Sequence, residues 1–217
     1  MQSEPSAAVH MDRMYRNQRL IYDATRAYYL LGRDQLIQGL GAKPKTSVLE
    51  IACGTARNLL RAADLYPGAD FYGVDISSEM LTTARASVAK SQQKDRIRLG
   101  LSDATDFDTQ ALFGLVAADC VFISYAVSMI PQWEAAIGEA LRHVAPGGSL
   151  HIVDFGSMET MPVPARRALL AWLAKFDVTT RRTLRAFCEA AAARHGTTCQ
   201  FRESPRGYWA KVVMQRA

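Results

Sequence analysis
A chain of 217 residues, 49% hydrophobic and 22% charged, can bury one sizeable core and has the composition of a globular rather than a disordered or fibrous protein. Its apolar runs are broken by Arg, Lys, Asp or Gly well short of the roughly 20 residues that a bilayer span demands. The four cysteines, Cys53, Cys120, Cys188 and Cys199, form no C-x-x-C pair, which argues against a zinc site or a disulfide framework, while a net charge of +5 fits nucleic acid, an anionic membrane or neither.

The first eight residues lack the basic-then-apolar layout of a secretory leader, so a cytoplasmic location is expected. Residues 11–41 are helix-like: Met14, Ile21, Tyr22, Tyr29, Leu30 and Leu40 are spaced for one apolar face, with no proline between them. After the punctuation GAKPK, the run TSVLEI at 46–51 reads as a buried strand, followed by a glycine-containing turn and a helix of about ten residues. The unit then repeats. Residues 70–75 form a second strand, Ser77 or Ser78 caps a helix reaching Ala89, and 96–99 is a short third strand.

A fourth strand at 118–124, a helix at 133–144, the turn APGG and a fifth strand at 148–154 continue the alternation, which implies a parallel sheet. Two helical stretches at 163–176 and 181–194 precede β-rich stretches at 198–202 and 208–214, separated by a hairpin-length connection. The expected architecture is α/β: a mostly parallel, Rossmann-like sheet with a C-terminal antiparallel hairpin and an N-terminal helical extension. One domain is expected over 1–217, with helices of 1–41 covering the ligand site and the core at 46–217.

Ligands of open α/β sheets sit beyond the carboxyl ends of the strands, where Glu50, Asp75, Asp103 and Asp154 fall. Glu50 ends the first strand, and Gly54 in the turn ACGTA lets a ligand approach the backbone. Asp75 ends the second strand and suits a carboxylate accepting both ribose hydroxyls of an adenosine; a helix cap is the competing role. Asp103 follows the third strand and could accept from an adenine amino group, or be a solvated turn aspartate. A dinucleotide site would want G-x-G-x-x-G around a pyrophosphate, and this turn has only Gly54. A ligand without phosphates and with a positive sulfonium fits better.

Through residues 48–58, 73–81, 102–107 and 141–154 the chain resembles the class I S-adenosylmethionine-dependent methyltransferases. Ala52 and Ala56 stand where that family's first motif usually has glycine, tolerable if φ stays negative. The resemblance implies S-adenosyl-L-methionine as cofactor, S-adenosyl-L-homocysteine as product, no metal, and a cofactor lining of Glu50, Ala52, Gly54, Thr55, Asp75, Ile76, Met80, Asp103, Ala104 and Ser124.

More narrowly, residues 14–19, 21–26, 28–34, 123–125, 128–131 and 151–156 resemble the N-methyltransferases of betaine-lipid synthesis. This implies a lipid amine substrate, diacylglycerylhomoserine, taken to its trimethylated betaine, with the enzyme that makes the homoserine lipid as a partner. Quinone precursors and phosphatidylethanolamine are the alternative acceptors, and a non-catalytic cofactor-binding module is the alternative of another class. By the same resemblance Tyr22 and Arg33 reach over the cofactor towards its methionine carboxylate, against a surface-cation role for Arg33. Tyr125, after the fourth strand, is expected to position the acceptor as the catalytic residue, with Tyr15 and Tyr29 beside it as substrate-binding aromatics able to contact a quaternary ammonium.

Residues 165–176 join Arg166, Arg167 and Lys175 to Leu169, Leu170, Trp172, Leu173 and Phe176, as would a helix lying peripherally on an anionic inner-membrane surface; a sheet-packed helix with a solvated basic face is the other reading. Nucleic acid is not expected as a partner, since the chain has no Asn/Asp-Pro-Pro-aromatic motif.

Overall fold
The computed structural model describes residues 30–217. Seven strands form one sheet in the order β3-β2-β1-β4-β5-β7-β6: β1 (Ser47–Ile51), β2 (Asp70–Asp75), β3 (Ile97–Leu101), β4 (Ala118–Ser124), β5 (Val144–Phe155), β6 (Thr197–Glu203) and β7 (Trp209–Arg216). The first five run parallel, and β7 is antiparallel to both β5 and β6. The expected Rossmann-like sheet with its terminal hairpin is thus borne out. Helix α1 (Arg33–Gln38) precedes β1, and between the strands lie α2 (Arg57–Leu65), α3 (Ser78–Ala89), α4 (Thr109–Phe113), α5 (Trp133–Arg142), α6 (Val163–Ala174) and α7 (Leu184–His195).

Strand side chains alternate between the two faces of a sheet, and each face here has its own core. Leu49, Ile51, Val121, Ile123 and Ile152 point to one side, where Ile137 of α5 and Leu184 and Cys188 of α7 close over them. Val48, Phe71, Cys120, Phe122 and Val153 point to the other, covered by Leu36 of α1, Leu59 of α2, Leu81 of α3 and Leu173 of α6. Crossover helices on both faces are what parallel connections require.

Two elements differ from the sequence expectation. The stretch 30–41 is not one continuous helix: α1 has only six residues and starts after Gly32, whose φ of 84° breaks the helical path. A Cβ on Gly32 would lie 3.1 Å from the Trp209 ring, so the tryptophan packs where a side chain would stand. The APGG turn, in turn, lies inside β5 rather than before it. A register shift between Ala118 and Cys120, together with φ of 74° at Gly147, loops these residues out while the strand continues on both sides.

Candidate active site
The sheet order reverses between β1 and β4: β1 feeds outward to β2 and β3, whereas β4 starts the other half. At such a switch the connecting loops diverge and leave a crevice beyond the strand ends. A cavity of about 250 Å³ occupies it.

One side of this cavity comes from the β1, β2 and β3 ends. Asp75 is buried there, its Oδ2 accepting from Gly54 N at 2.7 Å and its Oδ1 from Ser77 N at 2.9 Å. Helix capping falls to Ser77, whose Oγ accepts from Met80 N, so Asp75 is tied to the β1 turn and lines the cavity. Glycine at position 73 brings the turn close to β2, since a Cβ there would lie 2.6 Å from Leu59 Cδ1 and 2.9 Å from Cys53 Sγ.

Within the turn, Ala52, Gly54 and Ala56 have φ of 56°, 55° and 62°. The alanines do not keep the negative φ expected of them: both enter the left-handed region that favours glycine. Cys53 N donating to Val74 O and Ala56 N donating to Cys53 O hold that path. A Cβ on Gly54 would meet nothing within 4 Å, so this stretch of backbone faces open space.

Asp103 is exposed, and its Oδ1 accepts from Thr105 N and Oγ1 at 2.9 and 2.8 Å. The turn and cavity roles coincide, because Asp103 also lines the cavity with Ile76 and Ala104. Two expected residues stand behind the lining. Glu50 is buried and its Oε1 accepts from Asn58 Nδ2 at 2.7 Å, and Asn58 is the residue that meets the cavity. Met80 is buried in the first turn of α3.

The other side comes from α1 and the loop after β4: Leu30, Arg33, Ser124, Tyr125, Ala126 and residues 129–132. Arg33 is only 9% exposed, which rules out the ordinary surface cation. Tyr125, with φ of 53°, is packed edge-on against Phe155 at 4.9 Å and its hydroxyl donates to the Leu31 carbonyl. Burial, then the nearby Asp154, raises the phenol well above its ordinary pKa. It stays protonated at neutral pH and can serve as a hydrogen-bonded post, not as a base.

The loop itself is clamped from below. Asp154 Oδ2 accepts from Ser128 N at 2.9 Å, Arg181 donates to the Val127 and Ile130 carbonyls, and Thr179 N donates to Ser128 O. Asp154, at the end of β5, therefore positions the loop and does not line the cavity. Sequence reasoning missed Asn58, Arg57, Met129, Ile130, Pro131 and Gln132 as lining residues; the crevice rule alone would have pointed to the segment after β4. Tyr15, Tyr22 and Tyr29 lie outside the described residues.

Comparison with known proteins accords with this arrangement. Residues 48–148 match a family model described as a methyltransferase domain. A demethylmenaquinone methyltransferase of Symbiobacterium thermophilum is 36% identical over 107 residues, 49% of this chain and 41% of that one. The chain spans about half the length of the curated relatives it matches. Among solved structures, an O-methyltransferase family protein from Burkholderia thailandensis has a TM-score of 0.74 at 18% identity, covering 94% of this chain and 62% of that one. Phosphoethanolamine N-methyltransferase 2 of Haemonchus contortus, solved with S-adenosyl-L-methionine, has a TM-score of 0.69 at 15% identity, covering 85% and 52%. Residues 48–148 thus carry the sequence pattern of a methyltransferase domain, and the sheet is the Rossmann-like fold of these methyltransferase structures.

Proposed function
We propose that the chain transfers the methyl group of S-adenosyl-L-methionine to a ring carbon of a hydroquinone-type acceptor. The bound cofactor supplies an electrophilic methyl on a sulfonium. The residues present suit it: Asp75 to take the ribose hydroxyls, Asp103 the adenine amino group, and Ile76 and Ala104 the faces of the ring. Arg33 and the N-terminal end of α2 offer positive charge for the methionine carboxylate.

The distribution of charge around the cavity carries the choice of acceptor. Both carboxylates in the lining, Asp75 and Asp103, stand on the nucleoside side. The side formed by α1 and the β4 loop has Leu30, Tyr125, Ala126, Met129, Ile130, Pro131 and Gln132, with Arg33 as its charged group. Among the described residues that wall offers no carboxylate to a trimethylammonium product. Apolar walls suit a flat phenolate, whose ring carbon takes the methyl as S-adenosyl-L-homocysteine leaves and then gives up its proton to solvent as the ring regains aromaticity, so no strong base is needed beyond the initial deprotonation. The demethylmenaquinone methyltransferase among the relatives accords with this.

A lipid amine is the second reading. It is favoured by the location of the betaine-lipid resemblance, since Tyr125, Met129, Ile130 and Pro131 belong to those segments and line this wall. Incubation with methyl-labelled S-adenosyl-L-methionine and a reduced, prenylated naphthoquinol, with diacylglycerylhomoserine and phosphatidylethanolamine in parallel, separates the two. Label on the quinol ring carbon is expected. Label on the homoserine amine alone would transfer the assignment to the lipid amine, and no label anywhere with intact cofactor binding would leave a binding module.

A further inference from the structure
Helix α6 buries a single residue of its twelve, Leu173. Its inner side is held by Leu173, fully buried, with Leu169 and Trp172 packed against the core cluster that also contains Leu30 and Tyr125 of the cavity wall. Its outer side is apolar. Val163 is 49% and Leu170 37% exposed, and Ala165, Ala168, Ala171 and Ala174 are exposed as well. At 100° per residue, Val163, Arg167, Leu170, Ala171 and Ala174 fall on one side of the helix.

Charge is equally one-sided. From Met161 to Phe176 the chain carries Arg166, Arg167 and Lys175 and no acidic residue. Of the acids just beyond, Glu159 is engaged by Arg182 at 2.6 Å, and Asp177 follows Phe176. An exposed helix face that joins apolar residues to cations and carries no acid of its own is complementary to a surface that is apolar below and anionic above. A soluble protein partner would need a matching acidic rim around an apolar groove, whereas an anionic bilayer supplies both at once.

We propose that α6 docks this protein on anionic membrane surfaces, laying Val163, Leu170 and Ala174 into the acyl boundary while Arg166, Arg167 and Lys175 meet lipid phosphates. The proposal concerns where the protein sits and holds whichever acceptor is methylated.

The test is co-sedimentation of the full chain with phosphatidylglycerol-containing vesicles and with pure phosphatidylcholine vesicles. Binding is expected to the anionic vesicles, falling as salt rises. Arg166→Ala with Arg167→Ala should weaken it roughly thirtyfold, taking each cation near the surface at about a fivefold change in affinity. Leu170→Asp should abolish it while circular dichroism keeps the wild-type helix content and the lowered Tm stays well above the assay temperature, since over a third of the side chain is exposed. Equal binding to both vesicle types, or unchanged binding by both variants, would overturn the proposal. So would a dimer in light scattering that Leu170→Asp converts to monomer without any vesicle binding, which would make the face a contact between copies.

Discussion
At Ala52 and Ala56 the turn after β1 holds L-residues in left-handed backbone, a region that costs a non-glycine residue about 1–2 kcal/mol. Glycine relieves that cost but is itself harder to order, by about 0.5–1 kcal/mol. For Ala52, which is half-buried, relief wins: Ala52→Gly should gain roughly 0.5 kcal/mol and raise Tm by about 1–2 °C. Ala56 is fully buried, so Ala56→Gly also loses packing of about 0.8 kcal/mol and should leave Tm unchanged or slightly lower. A fall in Tm for Ala52→Gly in differential scanning calorimetry would show that its methyl matters more than its φ.

His151 makes a second residue-level argument. It sits in β5 with Nε2 and the Ser149 hydroxyl 2.9 Å apart and Nδ1 buried without a hydrogen-bond partner. Burial, reinforced by Lys211, lowers its pKa from 6.5 to about 4. The folded state thus prefers the neutral ring and the unfolded state binds more protons below pH 6.5, so stability is complete above 6.5 and is lost as pH falls towards 4. The full span corresponds to about 3 kcal/mol. Asp154 is shifted the opposite way, upward by burial, but it is present in both proteins when wild type and His151→Gln are compared. Urea unfolding at pH 7.5 and 4.5 should show wild type losing about 2–3 kcal/mol more than the variant; parallel losses would rule out the histidine as the source.

On the scale of elements, the close packing of β1 turn, β2 and α2 rests on Gly73. Gly73→Ala puts a methyl against Leu59 Cδ1 and Cys53 Sγ, an overpacking cost of about 1–3 kcal/mol. Leu59 can yield where the backbone cannot, so the penalty should shrink by at least about 0.5 kcal/mol when Gly73→Ala is made in a Leu59→Ala background, a coupling measurable by a double-mutant cycle. Additive effects would instead assign the strain to the cysteine side.

The same elements show what the sequence could disclose. β2 and β4 end where their apolar runs end, at Asp75 and Ser124, because a strand buried on both faces is written as a continuous apolar stretch. The carboxylate at the end of β2 was legible for the same reason. The five-residue α4 was not: it is too short for a 3.6-residue pattern to repeat, and it is set by Asp108, whose Oδ1 accepts from Gln110 N and Ala111 N. The β4-side wall of the cavity was equally hidden, since Met129–Gln132 have no period. Their place depends on Asp154, bonded to Ser128 26 residues back in the chain, and on Arg181, bonded to Val127 and Ile130 54 and 51 residues back.

For the molecule as a whole, a ligand that binds only the folded state adds RT ln(1 + [L]/Kd) to stability. At a hundredfold excess over Kd that is about 2.7 kcal/mol, or roughly 5–11 °C in Tm for a domain of this size. S-adenosyl-L-methionine and S-adenosyl-L-homocysteine should both produce such a shift, whereas NAD and ATP at the same concentration should not, because a turn with the single glycine Gly54 has no cradle for a pyrophosphate. Asp75→Asn makes the assignment specific to one carboxylate. Hydrogen bonds to a charged group contribute about 1.5–3 kcal/mol, so its loss should weaken binding by roughly tenfold to more than a hundredfold and remove about half of the shift or more at fixed ligand concentration. The variant's own ligand-free Tm must serve as its baseline, since Asp75 also accepts from Gly54 N and Ser77 N and its replacement lowers stability before any ligand is added. A full shift retained by Asp75→Asn would move the ribose contact to another residue of the cavity, whereas a shift produced by NAD as large as that by S-adenosyl-L-methionine would remove the argument from the turn altogether.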